Sequence, residues 1–290
     1  AGVKHGIIWH TQGSGKTALA FHNVRYLRDY FQRQGKVAKF YFIVDRLDLL
    51  TQASEEFAAR GIHVERVSSK EDFIKNIKTI GASNNSGEDS ITVVNIQKFT
   101  EESVARKSDY DVDVQRIYFL DEAHRSYNPK GSFLANLMAS DRDAVMIALT
   151  GTPLIGHGYN TKDVFGDYIH KYYYNRSIAD GYTLKLIREG IKTEYRTKMQ
   201  SILESLETEK GSLVKKDVYA HPKYVSALVE YIVEDFKKGK IDLLVVYNML
   251  LTGFDAPRLK KQYLGRVIRE HNLLQTLTRV NRPYKTFRYG

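Results

Sequence analysis

The chain has 290 residues, a formal net charge of +10 and a pI near 9.4, with 42% hydrophobic and 27% charged residues. This composition is typical of a globular protein, and the length is sufficient for two domains. The sequence contains no cysteine, which excludes disulfides, cysteine-ligated zinc and thiol catalysis. No apolar run approaches the ~20 residues that cross a bilayer, so we expect a cytoplasmic protein without a membrane partner. The positive charge favours nucleic acid as a partner.

The chain begins with a pattern of strand, glycine loop and helix. Residues 6–9 are apolar, and hydrophobic residues recur at helical spacing over 18–31. Between them lies the run Gly13-Ser14-Gly15-Lys16-Thr17, although His10 stands where the full phosphate-loop pattern has glycine. Glycines let backbone N–H groups turn toward an anion, and the helix N-terminus adds partial positive charge. We therefore expect Gly13, Ser14, Gly15 and Lys16 to bind the phosphates of ATP, and Thr17 to ligate Mg²⁺.

The next part of the chain alternates between buried strands and helices. Patterns of apolar residues predict strands over 37–44, 63–67 and 91–96 and helices over 47–60 and 71–80. A polar run over 81–87 predicts a surface loop. Such alternation is typical of βαβ units, so the sequence predicts an α/β fold with a mostly parallel sheet.

A second motif follows a predicted strand over 116–120. The strand leads directly into Asp121-Glu122-Ala123-His124. Parallel sheets place their ligands at the carboxyl ends of the strands. We expect Asp121 to hold Mg²⁺ and Glu122 to position or deprotonate an attacking water. An acidic surface loop is the alternative for this run taken alone, but its pairing with the glycine loop favours a nucleotide site.

A strand is predicted over 144–149. After Pro153 the alternation of strands and helices gives way to a tyrosine-rich stretch and amphipathic helical patterns, which predicts domains at 1–153 and 154–290. Helices are predicted over 190–209 and 222–237, a strand over 241–246 and a further helix from 271. These elements are too few for a second nucleotide-binding lobe. We therefore expect this lobe to be incomplete, with residues omitted near 236–240.

Three later segments complete an ordered set of motifs: Thr-Gly-Thr-Pro at 150–153, Thr-Gly-Phe-Asp-Ala-Pro at 252–257 and Gln-Thr-Leu-Thr-Arg-Val-Asn-Arg-Pro at 275–283. Together with the two earlier motifs, they resemble the core signature of superfamily 2 helicases and translocases. Segments at 44–48, 121–127, 250–257 and 279–284 are similar to those of the motor subunit of type I restriction-modification enzymes.

The resemblance implies a fold and a function for the whole chain. The fold would be a P-loop NTPase with two RecA-like parallel-sheet lobes, the first at 1–153 and the second, partial and preceded by a helical connection, at 154–290. The function would be that of an ATP-dependent translocase on double-stranded DNA, working with specificity and methyltransferase subunits of a restriction complex. A nuclease centre of the kind found in this family is not recognisable in the sequence.

The resemblance also implies roles for individual residues. Glu122, Lys16, Arg279 and Arg282 would be catalytic, the two arginines acting as fingers on the γ-phosphate. Further nucleotide contacts would come from Gly253, Asp255 and Gln275. Coupling of hydrolysis to movement would involve His124, Thr150 and Thr152. Contacts to the DNA backbone would involve Arg46, Gln97 and Lys98.

Other interpretations stay open at this point. A DEAH-type RNA helicase or another superfamily 2 remodelling ATPase shares the core motifs, and a P-loop kinase shares the glycine loop. A nucleic-acid-binding scaffold without turnover is the non-enzymatic alternative. The run Tyr172-Tyr173-Tyr174 is expected to pack in a core or interface, with base stacking as its alternative.

Overall fold

The computed structural model describes residues 4–11, 13–78, 88–95, 113–123, 134, 137–138, 141–154, 160–186, 193–210, 220–237, 262, 264, 273 and 276–277. The chain divides into two compact units, Ala1–Asp180 and Gly181–Gly290. The boundary proposed after residue 153 falls inside the first unit, because residues beyond it add a strand to the first sheet.

The first unit is built on a seven-stranded sheet in which all paired strands are parallel. The strands follow the spatial order β3-β4-β2-β5-β6-β1-β7. Their bounds are β1 His5–His10, β2 Val37–Val44, β3 His63–Val67, β4 Ser90–Asn95, β5 Val114–Asp121, β6 Val145–Thr150 and β7 Tyr168–Tyr172. The predicted α/β class and parallel sheet are confirmed.

Helices connect the strands and continue into the second unit. In the described residues they are α1 Lys16–Gln32, α2 Leu47–Ala59, α3 Lys70–Lys78, α4 Thr161–Phe165, α5 Tyr174–Ala179, α6 Thr193–Lys210 and α7 Pro222–Lys237. None of these described helices combines the length and apolar character needed to cross a bilayer. The strand predicted over 241–246 lies outside the described residues, as does nearly all of the segment from 271 onward.

Two apolar clusters form the core, one on each face of the sheet. Successive side chains of a strand point to opposite faces, so Phe40 and Phe42 of β2 join one cluster while Tyr41 and Ile43 join the other. Helices α1 and α2 cover the first face, and α3 contributes Phe73 to the second. Burial on both faces explains why the central strands are continuous apolar runs.

Strand β7 was not predicted, because it lies at the edge of the sheet and its sequence is mostly polar. It pairs with β1 only, and its three central residues, Ile169 to Lys171, are exposed. The close approach of the two strands depends on Gly6, since a Cβ there would lie 2.7 Å from Ile169 Cγ2. A short edge strand of this kind lacks the apolar run from which the other strands were recognised.

The second unit contains a described pair of packed helices. Tyr195 of α6 and Tyr231 of α7 meet edge to face with ring centroids 4.8 Å apart. Lys198 and Glu230 form an ion pair between the same two helices. Both helices were predicted from their amphipathic patterns, and both are confirmed within a few residues.

A buried ion pair lies near the amino-terminal end of β5, opposite the edge that carries the sequence motifs. Arg116 Nε donates to Asp141 Oδ2 over 2.6 Å, and the two side chains are only 4% and 3% exposed. Tyr118 Oη lies 3.3 Å from the same carboxylate oxygen. Because a buried cation needs a partner, Asp141 fixes the loop before β6 to the centre of the sheet.

Replacing Asp141 tests how much the Arg116–Asp141 pair contributes to the free energy of unfolding. We expect Asp141→Asn to lower the free energy of unfolding by about 3 kcal/mol, because it removes the buried carboxylate that pairs with the guanidinium. The matched control is Asp143→Asn two residues away, where the carboxylate is 83% exposed and pairs with Lys4 on the surface. The control should change stability by less than about 1 kcal/mol. Urea denaturation followed by circular dichroism measures both, and equal effects would contradict the assignment.

Candidate functional site

The glycine loop joins the carboxyl end of β1 to α1. Gly13 and Gly15 have φ angles of 80° and 89°, in the left-handed region that glycine adopts most easily. Helix α1 begins at Lys16 with Gly15 as its N-cap, and its first turn carries no acidic side chain. The helix N-terminus therefore presents backbone N–H groups and positive partial charge without a carboxylate of its own to compete.

The loop is held in place by hydrogen bonds to itself and to β7. Thr11 donates both its backbone N–H and its Oγ1 hydroxyl to the carbonyl of Tyr172, each over 3.1 Å. Ser14 closes the turn by donating its backbone N–H and its hydroxyl to the Thr11 carbonyl, over 3.1 and 2.5 Å. The unpredicted edge strand is thus a support for the glycine loop.

Lys16 connects the two sequence motifs. Its Nζ lies 2.8 Å from Glu122 Oε1 and 3.9 Å from Asp121 Oδ1, and its side chain is only 9% exposed. The pair is brought together because β1 and β5 both flank β6 and all three strands end at the same edge. Ala123 then donates its N–H to the carbonyl of Leu149 over 3.3 Å, which fixes the acidic segment to β6.

The two carboxylates differ in their surroundings. Burial raises the pKa of Asp121 to about 7, although Lys16 opposes the shift, and the negative charge of Glu122 adds to it. A nearby divalent cation would favour the charged form of such a carboxylate. Glu122 has a φ of 49°, so its backbone is in the left-handed region that non-glycine residues rarely adopt.

The donors at this edge fit a magnesium ion bound together with phosphates. They are the carboxylate of Asp121 and the hydroxyl of Thr17, the first residue after Lys16 in α1. In the part of the chain that the structure describes, no group of three or more histidine, aspartate and glutamate side chains could hold a metal by itself. Mg²⁺ does not require one, because it commonly binds through one or two carboxylates plus substrate phosphates.

His10 takes the place of the expected first glycine and makes specific contacts. Its Nε2 lies 2.9 Å from Nδ1 of His170 in β7, and its Nδ1 lies 3.5 Å from the Ser14 hydroxyl. Burial lowers the pKa of His10 to about 4, and the charges of His170 and Lys16 contribute further. His10 is therefore neutral at pH 7, so one of its two ring nitrogens is a hydrogen-bond donor and the other is an acceptor.

Residues 150–153 comprise the last residue of β6 and the turn after it, and they lie beside the carboxyl end of β1. Thr150 and Thr152 are both buried, and the N–H of Thr152 donates to Thr150 Oγ1 over 3.1 Å. Trp9 Nε1 of β1 donates to the carbonyl of Gly151 over 3.1 Å. This turn is consequently in direct contact with the strand that leads into the glycine loop.

Comparison with known proteins identifies the family. Residues 2–217, more than half of the chain, match the family described as SWI2/SNF2 ATPase. The chain belongs to the SWI2/SNF2 ATPase family. Residues 164–289 match the domain described as type I restriction enzyme subunit R domain 3.

Curated relatives of this SWI2/SNF2 ATPase are named as restriction enzyme subunits. The type I restriction enzyme SsaAORF53P endonuclease subunit of Staphylococcus saprophyticus is 25% identical over 391 residues, covering 97% of this chain and 40% of that protein. The type I restriction enzyme HindI endonuclease subunit of Haemophilus influenzae is 23% identical over 377 residues, covering 96% of this chain and 35% of that protein. The chain therefore spans less than half the length of these relatives. Each alignment is also longer than 290 residues, so the relatives contain internal segments that this chain lacks.

Two solved structures are distant neighbours. The helicase domain of Pyrococcus furiosus Hef has a TM-score of 0.47 and 18% identity, covering 82% of this chain and 51% of that one. A nuclease-deletion mutant of the Type ISP restriction-modification enzyme LlaGI, in complex with a DNA substrate mimic, has a TM-score of 0.40 and 12% identity, covering 81% and 22%.

The predicted site residues of this SWI2/SNF2 ATPase divide into two groups. The structure brings Lys16, Asp121 and Glu122 into contact, and it places the turn of Thr150 and Thr152 against β1. Arg46 lies at the start of α2, where its Nε is 3.1 Å from Asp48 Oδ1 and its side chain is 32% exposed. Gly13, Ser14, Gly15 and Thr17 lie in the glycine loop and the first turn of α1. Eight further predicted residues lie outside the described part of the chain: Gln97, Lys98, His124, Gly253, Asp255, Gln275, Arg279 and Arg282.

Sequence reasoning missed the contacts of Trp9, His170 and Tyr172. The contacts of His170 and Tyr172 depend on β7, which was not predicted as a strand, whereas Trp9 donates to Gly151 in the turn after β6. The available signal was local, since Trp9 and His10 are large side chains directly before a glycine loop and Trp9 is the single tryptophan of the chain.

The lowered pKa of His10 predicts a pH-dependent stability of this SWI2/SNF2 ATPase. The unfolded chain takes up a proton near pH 6.5, but folded His10 does so only near pH 4. Its contribution to stability is therefore complete above pH 6.5 and is lost as the pH falls toward 4. We expect wild type to lose on the order of 2 kcal/mol more than His10→Gln over this interval.

Urea denaturation at several pH values measures this difference. His22→Gln, at an exposed position of α1, is the matched control and should follow wild type. Identical pH profiles for wild type and His10→Gln would show that the histidine pair does not contribute.

Proposed function

We propose that the chain is the ATP-hydrolysing motor segment of a type I restriction enzyme R subunit and that it moves double-stranded DNA. The ion pair of Lys16 with Glu122, with Asp121 3.9 Å from the same Nζ, carries the proposal. One cation and two carboxylates beside a glycine loop with positive φ angles suit phosphoryl transfer, which depends on positioning and charge neutralisation. Membership of the SWI2/SNF2 ATPase family supports the same reaction.

The described residues would share the chemistry of ATP hydrolysis. The backbone N–H groups of residues 13–15 and the N-terminus of α1 bind the phosphates, and Lys16 neutralises the β- and γ-phosphates. Thr17 and Asp121 would hold Mg²⁺, which supplies further charge neutralisation when bound. Glu122 orients the attacking water and accepts its proton.

The second half of the site would come from the later part of the chain. Gly253, Asp255 and Gln275 contact the nucleotide, and Arg279 and Arg282 stabilise the charge that develops on the γ-phosphate. The match of residues 164–289 to type I restriction enzyme subunit R domain 3 supports a restriction enzyme as the context of this half. A site shared between two lobes is complete only when the lobes close, which would tie hydrolysis to movement.

Several observations support DNA as the polymer that is moved. The chain carries a net charge of +10, and the curated relatives are named endonuclease subunits of type I restriction enzymes. Arg46, Gln97 and Lys98 would contact the DNA backbone. The partners would be the specificity and methyltransferase subunits of a cytoplasmic restriction complex, with the nuclease centre in another part of the whole protein.

Coupling between hydrolysis and DNA would pass through the turn after β6. His124 follows the acidic segment in the sequence, and Thr150 and Thr152 are buried at the end of β6, beside β1. Because Trp9 of β1 donates to the Gly151 carbonyl, a structural change at the phosphates would be transmitted to the turn through this single strand.

Substitution of the acidic residue tests the catalytic assignment. We expect Glu122→Gln to lower the kcat of ATP hydrolysis by about 100-fold or more while ATP still binds, because the amide cannot accept a proton from water. Lys16→Ala should weaken nucleotide binding, since it removes the charge that meets the phosphates. Glu55→Gln, an exposed glutamate on α2, is the control. Steady-state ATPase assays and calorimetric binding separate the effects, and an active Glu122→Gln would favour another base.

A second experiment tests the DNA contact at Arg46. We expect duplex DNA to stimulate ATP hydrolysis, and we expect Arg46→Ala to make the slope of log affinity against log salt concentration shallower by about 1, because one phosphate contact is lost. Arg60→Ala is the matched control, since Arg60 is an exposed arginine at the other end of α2.

Fluorescence anisotropy with labelled duplex at several salt concentrations gives the slopes. Stimulation by RNA but not by DNA would support the RNA helicase alternative. Nucleic-acid binding with no turnover in wild type would support the scaffold alternative.

A further inference from the structure

Trp9 makes the one polar side-chain contact, among those described, between β1 and the turn at residues 150–153, named here the TGTP turn. Its indole Nε1 donates to the carbonyl of Gly151 over 3.1 Å. The two segments are also neighbours in the sheet, because Trp9 is paired with Thr150 in the β1–β6 register. The side chain thus extends a backbone pairing beyond the end of the strand.

Two aromatic rings hold the indole in this position. Tyr173 meets it edge to face with centroids 4.7 Å apart, and Tyr168 lies beside it at 5.5 Å. Such contacts restrict the orientation of an aromatic ring as well as burying it. Packing therefore aims the indole N–H at the Gly151 carbonyl.

The other end of the same short segment leads to the phosphates. Thr11 is tied to β7 through the Tyr172 carbonyl, Ser14 closes on Thr11, and Lys16 begins α1. A movement of the glycine loop therefore acts on β1, which carries the indole, and on β7, which carries Tyr168 and leads into Tyr173.

The TGTP turn is suited to respond to such a movement. Its geometry depends on the hydrogen bond from Thr152 N–H to Thr150 Oγ1, and β6 also carries the acidic segment through Ala123 and Leu149. A shift of the Gly151 carbonyl moves the turn, whereas the adjoining strand β6 is held on both sides by its backbone pairing with β1 and β5.

We propose that Trp9 is a positioning residue that couples the glycine loop to the TGTP turn, so that nucleotide bound at Lys16 changes the placement of the turn. The inference deepens the proposed function and rests on it, because the signal originates at the nucleotide site. It assigns to the indole N–H a role that a purely apolar ring could not fill, since only the N–H reaches the Gly151 carbonyl.

Intrinsic fluorescence tests the coupling directly, because Trp9 is the only tryptophan in the chain. The chain is titrated with Mg²⁺ and a non-hydrolysable ATP analogue, and binding is measured in parallel by calorimetry. We expect the tryptophan emission to change and to saturate with the same Kd as binding, and we expect Lys16→Ala to lose both signals. Binding without any emission change would overturn the inference alone, whereas no binding would overturn the proposed function as well.

Kinetics of substituted chains separate coupling from structural support. We expect Trp9→Phe to lower the DNA-stimulated kcat about 2- to 10-fold with a KM for ATP within about twofold of wild type, the range for loss of one neutral hydrogen bond. Tyr26→Phe, at a tyrosine that is 70% exposed on α1, is the control for an aromatic substitution. A lower Tm with unchanged DNA-stimulated kcat would make Trp9 purely structural and overturn the inference.

A second variant covers the case in which Trp9→Phe does not fold. Incorporation of 3-benzothienylalanine at position 9 keeps the two-ring shape and its packing against Tyr168 and Tyr173 but removes the N–H donor. We expect the same loss of DNA-stimulated kcat in this variant. Full stimulation in a folded benzothienylalanine chain would overturn the inference.

Discussion

The arrangement of the site depends on the electrostatic attraction between Lys16 and the two carboxylates at the end of β5. The Lys16–Glu122 contact joins residues 106 positions apart, and the side chains are largely shielded from water, so each charge needs the other. Within the proposed function, a triphosphate would compete with Glu122 for Lys16, and Asp121 would then hold a divalent cation that supplies positive charge in place of Lys16. Substrate binding would then exchange the charge partners of Lys16 and the two carboxylates, so that each of these buried charges keeps an opposite charge beside it.

The central strands were predicted correctly from the sequence. β2, β4, β5 and β6 are short, mostly apolar runs, which is the pattern of strands that are buried on both faces of a sheet. The glycine loop and Asp121-Glu122 were expected to form one site, because each follows a strand and the carboxyl ends of parallel strands lie at the same edge of the sheet. Strand β7 was missed because an edge strand exposes most of its side chains. The contacts of Trp9 and His170 were also missed, because each side chain meets a residue more than 140 positions away in the sequence.

In the later half of the chain, the sequence motifs identify candidate residues but not their positions in space. Its motifs at 252–257 and 275–283 were recognised from their order, yet recognition of a motif does not supply the packing that positions Arg279 or Arg282. The curated relatives contain internal segments that this chain lacks. The helices α6 and α7 have well-defined mutual packing through Tyr195 and Tyr231. The assignment of the arginines therefore rests on sequence, whereas that of Lys16 rests on distances.

The left-handed backbone of Glu122 has a consequence for the evolution of the site. A φ of 49° is unfavourable for a residue with a Cβ, by about 1–2 kcal/mol, and glycine would adopt it freely. Random substitution selected for folding alone should therefore drift toward glycine at this position, which would remove the carboxylate that meets Lys16. Glutamate at this position therefore lacks the backbone stability that glycine would give, but it places a carboxylate oxygen 2.8 Å from the Lys16 ammonium.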